Sequence, residues 1–298
     1  MAPTKLTGKH AEISAFIDRF DVFLFDCDGV LWHGNTLLHK TVETLDMLRS
    51  KGKQIVFVTN NSTKSRRAYK KKLDGLGIPA EVDEIFCSAY SSAVYIKRVV
   101  KLPADKKVYV IGESGIEEEL RNEGVQYFGG TDPEERIQMQ EEDYTNFVPD
   151  PEVGVVLCGL DHYVSYRKYA KAFQYLQNPE TLFLATNVDS TFPNKGKLFP
   201  GAGSISAPLT YMTKRVPLSL GKPSQAMMDA IEGKFQFNRK RTCMVGDRLN
   251  TDIKFGVEGG LGGTLAVLTG VSTEEEILSS DAIAVPDAYL DQLSDLLG

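Results

Sequence analysis

Short apolar runs alternate with segments of helical periodicity along most of the chain. The run Val22–Phe25 is brief and rich in aromatic residues, as expected of a buried strand. Apolar residues three or four positions apart predict helices around 42–48, 66–76 and 166–176. Further runs predict strands at residues 54–59, 107–111, 153–158, 181–185, 242–245 and 263–268. The repeated strand–helix–strand order predicts an α/β protein with a doubly wound parallel sheet.

Two carboxylates two residues apart, Asp26 and Asp28, directly follow the first predicted strand and precede Gly29. Like charges this close disfavour joint ionisation unless a positive charge compensates them. A hard divalent cation such as Mg²⁺ prefers oxygen ligands and would compensate both. The segment therefore predicts a metal-assisted carboxylate site.

Three further polar segments follow apolar runs. Thr59-Asn60-Asn61-Ser62 offers a hydroxyl and backbone amides that suit phosphate oxygens, although such clusters also simply cap helices. Gly221-Lys222-Pro223-Ser224 places a lysine between a glycine and a proline after the run 217–220. Gly246-Asp247 ends another strand, and Asp252 lies five residues on, where the first turn of a helix favours a carboxylate. Ligands of parallel sheets bind at the carboxyl ends of strands, so we expect all four segments to meet at one edge.

Together these segments supply carboxylates, a lysine, a hydroxyl and exposed amides. That inventory suits a phosphoryl group with Mg²⁺, because a carboxylate can attack phosphorus while the cations stabilise the added charge.

Charge and composition argue against several classes of protein. The chain has 34 basic and 40 acidic residues, a net charge of −6, and no basic domain, which disfavours nucleic acid as the main partner. No apolar stretch reaches the length of a membrane span, and residues 1–10 lack the apolar core of a secretion signal. We therefore expect no membrane partner and a cytoplasmic location, with the nucleus also possible. Four widely spaced cysteines without a CxxC pair lie in or beside apolar runs, which predicts small buried hydrophobic side chains. Cys27 is the exception, because it lies beside the proposed site.

Two charged segments stand out. Residues 131–152 contain eight acidic residues and one basic one, which predicts a solvated surface loop. Lys64 and Lys72 bound a basic cluster that is typical of a solvated helix face, with attraction of an anionic substrate as the alternative.

The four segments, in this order, resemble the haloacid dehalogenase (HAD) superfamily, with the motifs DxDGV, TNN, GKP and GDRxxTD. About 160 residues separate the second motif from the third. This gap resembles the subgroup with a large α/β cap inserted there, which includes the fungal 4-nitrophenylphosphatases and the eukaryotic phosphoglycolate and pyridoxal phosphatases. The resemblance implies a catalytic core formed by residues 1–87 and 214–298 and a cap formed by residues 88–213.

The resemblance also implies roles for the motif residues. Asp26 would be the nucleophile that forms an aspartyl-phosphate, and Asp28 would protonate the leaving alcohol and then deprotonate water. Mg²⁺ would be held by Asp26, the backbone carbonyl of Asp28 and Asp247. Asp252 would support the metal shell or orient Lys222, which stabilises the added charge. The phosphate would be held by Thr59 and by the backbone of Asn60 and Asn61.

An aspartate at position 28 favours a phosphatase, because a dehalogenase needs no general acid there. The expected substrate is a small phosphorylated metabolite, foremost an acid such as 2-phosphoglycolate, with 4-nitrophenyl phosphate as a generic one. A phosphotransferase or mutase, a pyridoxal phosphate phosphatase, a phosphoprotein phosphatase and a non-catalytic binding protein remain alternatives. Relatives imply a homodimer formed through the cap. Cap residues expected to set specificity are Leu160, Asp161, Asn187, Asp189 and Phe192.

Overall fold

Two parallel sheets organise the protein, whose computed structural model describes residues 2–194 and 197–298. Every neighbouring pair of strands in the larger, core sheet is parallel. The core sheet has seven strands in the spatial order Thr4–Lys5, Ala288–Leu290, Gly263–Val267, Thr242–Gly246, Val22–Phe25, Gln54–Thr59 and Ile85–Cys87.

The second sheet is also parallel throughout. Its five strands, in spatial order, are Leu218–Ser219, Leu182–Ala185, Val153–Cys158, Lys107–Ile111 and Tyr127–Gly129. Two antiparallel hairpins accompany the sheets, formed by Trp32–His33 with Thr36–Leu37 and by Thr191–Asn194 with Lys197–Pro200.

Helices connect most of the strands. None of the helices in the described part of the chain combines the length and apolar character needed to cross a bilayer. The α-helices are His10–Asp18, Thr41–Ser50, Arg66–Gly75, Ser88–Val94, Ser114–Asn122, Glu141–Asn146, Tyr166–Leu176, Gly203–Thr213, Gln225–Phe235, Lys254–Glu258 and Glu274–Leu278. Two π-helical segments cover Tyr95–Val100 and Leu249–Ile253, and 3₁₀ turns cover Val82–Glu84, Pro133–Arg136, Arg239–Arg241 and Leu293–Leu297.

Side chains along the strands of the second sheet alternate between two hydrophobic cores, one on each face of the sheet. Val108 and Val110 pack into the large core that surrounds the core sheet, whereas Tyr109 and Ile111 pack on the opposite face. This follows from the two-residue period of a strand. Since the second sheet shares one face with the large core, the two α/β units form a continuous apolar interior.

The predicted α/β architecture, with a parallel core sheet and an inserted α/β unit, is confirmed. All seven predicted strands are present, with ends that differ by at most one residue. The strands of the two parallel sheets that the pattern missed are only two or three residues long, so they carry too few positions to show a period. They are Thr4–Lys5, Ile85–Cys87, Tyr127–Gly129 and Ala288–Leu290. Cys87, Cys158 and Cys243 are free and buried, as predicted, and Cys27, which was expected to be the exception, is free and buried as well.

Two expectations need correction. The acidic segment 131–152 is not only a solvated loop, because it contains a helix at Glu141–Asn146 and the buried Glu135, which accepts hydrogen bonds from Tyr109 and Lys171. The strand before Lys222, Leu218–Ser219, pairs with Leu182–Ala185 in the second sheet and not with the core sheet. The second sheet thus extends past residue 213, where the cap was expected to end.

Candidate active site

The carboxyl ends of the two sheets line a common cavity of about 810 Å³. Asp26, Thr59 and Asp247 reach it from ends of core strands, and Leu160 and Asn187 reach it from loops after strands of the second sheet. Both sheets therefore follow the rule that parallel sheets bind ligands at their carboxyl edges.

Lys222 is the buried cation at the base of the cavity, with 1% of its side chain exposed. Its Nζ donates a hydrogen bond of 2.6 Å to Asp26 Oδ1 and one of 2.8 Å to the Val58 carbonyl. It also forms an ion pair of 2.8 Å with Asp252 Oδ1. Burial alone would lower the pKa of Lys222, but the adjacent Asp252 and Asp26 raise it above its ordinary value. Lys222 is therefore a fixed positive charge between two carboxylates.

Asp26 follows its strand directly, and 13% of its side chain is exposed. Burial raises the pKa of Asp26 to about 7, Lys222 opposes this shift, and Asp252 adds to it. Additional positive charge beside Asp26 would favour its ionised, nucleophilic form.

Asp247 is held in a pocket that glycines make possible. A Cβ added at Gly270 would lie 1.9 Å from Asp247 Oδ2, and one added at Gly29, whose φ is +93°, would lie 2.6 Å from it. The same oxygen accepts a hydrogen bond of 2.8 Å from the Val271 amide. Burial, Asp252 and Asp26 raise the pKa of Asp247 well above its ordinary value. A carboxylate held this closely in a buried site calls for a compensating cation.

Asp252 fixes the loop that carries Asp247. Its Oδ2 accepts hydrogen bonds from the amides of Asp247 at 3.2 Å and Arg248 at 3.1 Å. Gly246 allows the close approach, since a Cβ there would lie 2.1 Å from the Asp252 Cβ. Asp252 thus positions both Lys222 and the backbone of the loop that carries Asp247.

The donor set fits a hard divalent cation. Asp26, Asp247 and Asp252 each offer a carboxylate oxygen, and these oxygens lie within 4.8 Å of one another. Lys222 supplies one positive charge against three carboxylates, which leaves a buried excess of negative charge for the metal to neutralise. Because Asp252 already serves Lys222 and two amides, Asp26 and Asp247 are the side chains available to ligate the metal.

Asp28 lies on the other side of the same loop, with 41% of its side chain exposed. Its Oδ1 accepts a hydrogen bond of 2.8 Å from Trp32 Nε1 and lies 3.9 Å from Lys72 Nζ. Lys72 also sits 4.2 Å from the centre of the Trp32 ring. Burial lowers the pKa of Lys72, and the Asp28 carboxylate partly restores it. Asp28 is therefore oriented toward the cavity by a fixed donor and a nearby cation.

The loop after strand Gln54–Thr59 is fixed by its own side chains. Thr59 Oγ1 accepts a hydrogen bond of 3.2 Å from the Asn61 amide, and Asn61 Oδ1 accepts from both the amide and the hydroxyl of Thr63. Ser62 accepts a hydrogen bond of 3.1 Å from Thr186 of the second unit. Hydrogen bonds within the protein thus hold the loop, and Thr59, Asn60 and Asn61 all line the cavity.

The side chain of Asn60 is engaged with protein groups. Its Oδ1 accepts from the Lys222 amide at 2.7 Å, and its Nδ2 donates to the Lys222 carbonyl at 3.0 Å and to Asp189 at 3.1 Å. Its carbonyl accepts from Ser88 and Asn187. The side chain of Asn60 therefore organises the site, which leaves its backbone amide as the group able to face phosphate.

Four of the five cap residues selected from the sequence line the cavity: Leu160, Asn187, Asp189 and Phe192. Asp161 lies elsewhere. It is buried, and its carboxylate pairs at 2.5 Å with Lys168, whose side chain is fully buried. The turn that exposes Leu160 rotates Asp161 into the second unit, where its charge requires that partner.

Several cavity residues escaped the sequence reasoning. His33 lies in the first hairpin, His162 follows a strand of the second sheet, and Arg248 stands between Asp247 and the second hairpin. Both terminal nitrogens of Arg248 donate to the Thr191 carbonyl at 3.3 Å. Arg248 belongs to the GDRxxTD motif, and this could have identified it as a site residue. His33 and His162 are isolated histidines in no motif, so the sequence gives no indication of their place in the cavity.

Comparisons with known proteins agree with this geometry. Residues 23–126 match a family described as haloacid dehalogenase-like hydrolase, and residues 219–296 match a HAD-hydrolase-like family. The chain is 58% identical over 285 residues to a 4-nitrophenylphosphatase of Schizosaccharomyces pombe, covering 96% of each chain. It is 45% identical over 283 residues to a chloroplastic phosphoglycolate phosphatase of Arabidopsis thaliana, covering 94% of this chain and 77% of the relative. The structure of a glycerol phosphate phosphatase from Mycobacterium tuberculosis in complex with magnesium matches with a TM-score of 0.78 at 26% identity, covering 94% of this chain and 77% of that one.

Proposed function

Because this chain belongs to the haloacid dehalogenase-like hydrolases and is a phosphatase of that family, we propose that it hydrolyses small phosphate monoesters with Mg²⁺ through an aspartyl-phosphate on Asp26. The observation that carries the proposal is the contact of Asp26 with Lys222 beside the buried Asp247 and Asp252. A carboxylate held by a lysine at the base of a cavity is placed to attack phosphorus.

Each residue of the site has a separate task in this proposal. Asp26 attacks phosphorus, and Lys222 stabilises the charge that develops on the transferring group. Asp28 donates a proton to the leaving oxygen and then removes one from the water that hydrolyses the intermediate. Thr59, with the amides of Asn60 and Asn61, holds the remaining phosphate oxygens.

Mg²⁺ would be held by Asp26, Asp247 and the backbone carbonyl of Asp28. When bound, it would neutralise the clustered carboxylates and polarise the phosphoryl oxygens. The glycine-lined pocket around Asp247 supports this assignment, since it fixes one carboxylate oxygen while leaving the group in the cavity.

A small phosphorylated acid is the proposed substrate class, with 2-phosphoglycolate foremost. The match to a phosphoglycolate phosphatase supports it. The buried position of Asp26 and Lys222 at the base of the cavity disfavours bulky phosphoproteins. Water is the proposed acceptor, and product analysis with a labelled phosphate donor separates hydrolysis from transfer to another alcohol.

The test of the proposal is Asp26→Asn, which removes the nucleophile with almost no change in volume. Turnover of 4-nitrophenyl phosphate and 2-phosphoglycolate should fall by at least about a thousandfold. Circular dichroism should show an unchanged fold. Turnover near the wild-type rate would refute the role of Asp26.

Two further expectations remain proposals, namely a homodimer formed through the second unit and a cytoplasmic location. Size-exclusion chromatography with light scattering tests the first, and a monomer at micromolar concentration contradicts it. Imaging of a tagged chain tests the second.

A further inference from the structure

Lys64 and His162 line the outer part of the cavity, and the proposed chemistry uses neither of them. Lys64 lies in the loop after Thr59, and His162 lies in the loop after strand Val153–Cys158 of the second sheet. The phosphate end, formed by Asp26 and Lys222, is buried, whereas Lys64 and His162 are exposed at the opening. A leaving group that extends from the buried end toward the opening would meet them.

Lys64 differs from the cations around it. Arg66, Arg67 and Lys72 lie 3.1, 2.9 and 3.9 Å from carboxylates. In the described ranges, 2–194 and 197–298, Lys64 forms no such ion pair. Its charge on the cavity wall is therefore available to a ligand.

His162 is oriented by Glu113. One oxygen of that carboxylate, Oε1, lies 2.8 Å from His162 Nδ1 and accepts a hydrogen bond of 3.0 Å from the His162 amide. A carboxylate at Nδ1 fixes the proton on that nitrogen, so Nε2 is the ring atom left for a ligand. A protonated imidazole held in this way would donate to an anion.

The two loops meet at the start of helix Ser114–Asn122. The Gly115 amide donates to the Thr63 carbonyl at 3.3 Å, and a Cβ on Gly115 would lie 2.5 Å from the backbone of Lys64. Glu113, at the same helix start, holds His162. The contact brings one positive side chain from the core and one oriented imidazole from the second unit to the same part of the cavity wall.

We propose that Lys64 and His162 form a subsite for a carboxylate on the leaving group, with Glu113 as a positioning residue. The inference rests on the proposed phosphatase function and specifies its substrate class as phosphate monoesters that carry a carboxylate near the ester oxygen. One ammonium and one imidazole suit the single charge of a carboxylate. A neutral polyol phosphate lacks the charge that would pair with Lys64 and His162, so the subsite favours the substrate that carries a carboxylate.

The test compares two substrates of similar size, 2-phosphoglycolate and 2-hydroxyethyl phosphate, which differ in the carboxylate. The wild-type chain should favour 2-phosphoglycolate in kcat/KM, and Lys64→Met should lower that preference about tenfold. The control is Lys71→Met, which removes an exposed lysine that does not line the cavity and should leave the ratio unchanged.

His162→Ala should lower the same ratio, and Glu113→Gln should lower it less because the amide oxygen still accepts from Nδ1. Inhibition by inorganic phosphate should stay unchanged in all three variants, since the phosphate end is intact. Lys64 and His162 are exposed, so these substitutions leave the fold in place.

An equal loss for both substrates, or an unchanged ratio in Lys64→Met and His162→Ala, would overturn the subsite while leaving the phosphatase activity established. A wild-type chain without preference for the carboxylate would also overturn it. Failure of the wild-type chain to hydrolyse any phosphate monoester would instead refute the proposed function, and the subsite with it.

Discussion

Asn60 pairs with the backbone of Lys222 through both atoms of its side-chain amide. Its Oδ1 accepts from the Lys222 amide at 2.7 Å, and its Nδ2 donates to the Lys222 carbonyl at 3.0 Å. These two hydrogen bonds resemble those between paired residues of neighbouring β-strands, although Asn60 and Lys222 are 162 residues apart in the sequence. It matters because Leu218–Ser219 belongs to the second sheet, so no core strand carries Lys222 to the site.

Asn60→Ala should therefore misplace Lys222 and lower kcat by about tenfold to a hundredfold with little change in KM. Steady-state kinetics with 4-nitrophenyl phosphate measures both. Asn35→Ala is the control, because Asn35 lines the same cavity but is exposed in the first hairpin loop. Equal kcat values in the two variants would contradict the positioning role of Asn60.

Lys222→Met should lower the free energy of unfolding by about 3–5 kcal/mol in metal-free buffer, because it leaves Asp26 and Asp252 buried without a cation. Urea denaturation measures this. The double variant Lys222→Met/Asp252→Asn should regain part of the loss, since it removes one of the uncompensated charges. A double variant that loses the sum of the single effects would contradict the coupling. As a control, Lys234→Met removes the pair with the exposed Asp83 and should cost less than about 1 kcal/mol.

Asp189 should make stability depend on pH. Burial raises the pKa of Asp189 above its ordinary 3.8, although the Asn60 amide opposes the shift. Between the unfolded and folded pKa values, the folded state keeps a proton that the unfolded state has released, so stability falls as pH rises through that window. Asp189→Asn removes this contribution. The stability of the variant relative to wild type should therefore grow from pH 4 to pH 7, and a difference that stays constant or shrinks would contradict the assignment.

Mg²⁺ should stabilise the wild-type chain and not Asp247→Asn. A ligand at a hundred times its Kd adds about 2.7 kcal/mol to the free energy of unfolding, which a thermal melt detects as a higher Tm. Asp229→Asn, with an exposed carboxylate, is the control and should respond to Mg²⁺ as the wild type does. A response of Asp247→Asn equal to that of Asp229→Asn would remove Asp247 from the metal site.

The sequence predicted the parts of the site that depend on local pattern. Asp26, Thr59 and Asp247 each follow or end a strand of the core sheet, and the rule for parallel sheets was enough to bring them together. The resemblance of their motifs to those of the HAD superfamily then implied a chemical role for each residue.

Features that depend on how turns and sheets pack could not be predicted in the same way. The burial of Asp161 against Lys168 depends on the rotation of one turn, which no periodicity reports. The contact of Asn60 with Lys222 and the placement of His162 on the cavity wall depend on how two sheets face each other. Such packing geometry needs the folded structure.

In the proposed mechanism, Asp26 carries the phosphoryl group during turnover. Asp28→Asn tests it most directly with 4-nitrophenyl phosphate, whose good leaving group needs little help from a general acid. Phosphorylation should then proceed while hydrolysis of the intermediate is slowed by the loss of the general base. Rapid quenching followed by peptide mass spectrometry should find one added phosphoryl group on Asp26. Release of phosphate without a phosphorylated intermediate, or a phosphoryl group on another residue, would contradict the account.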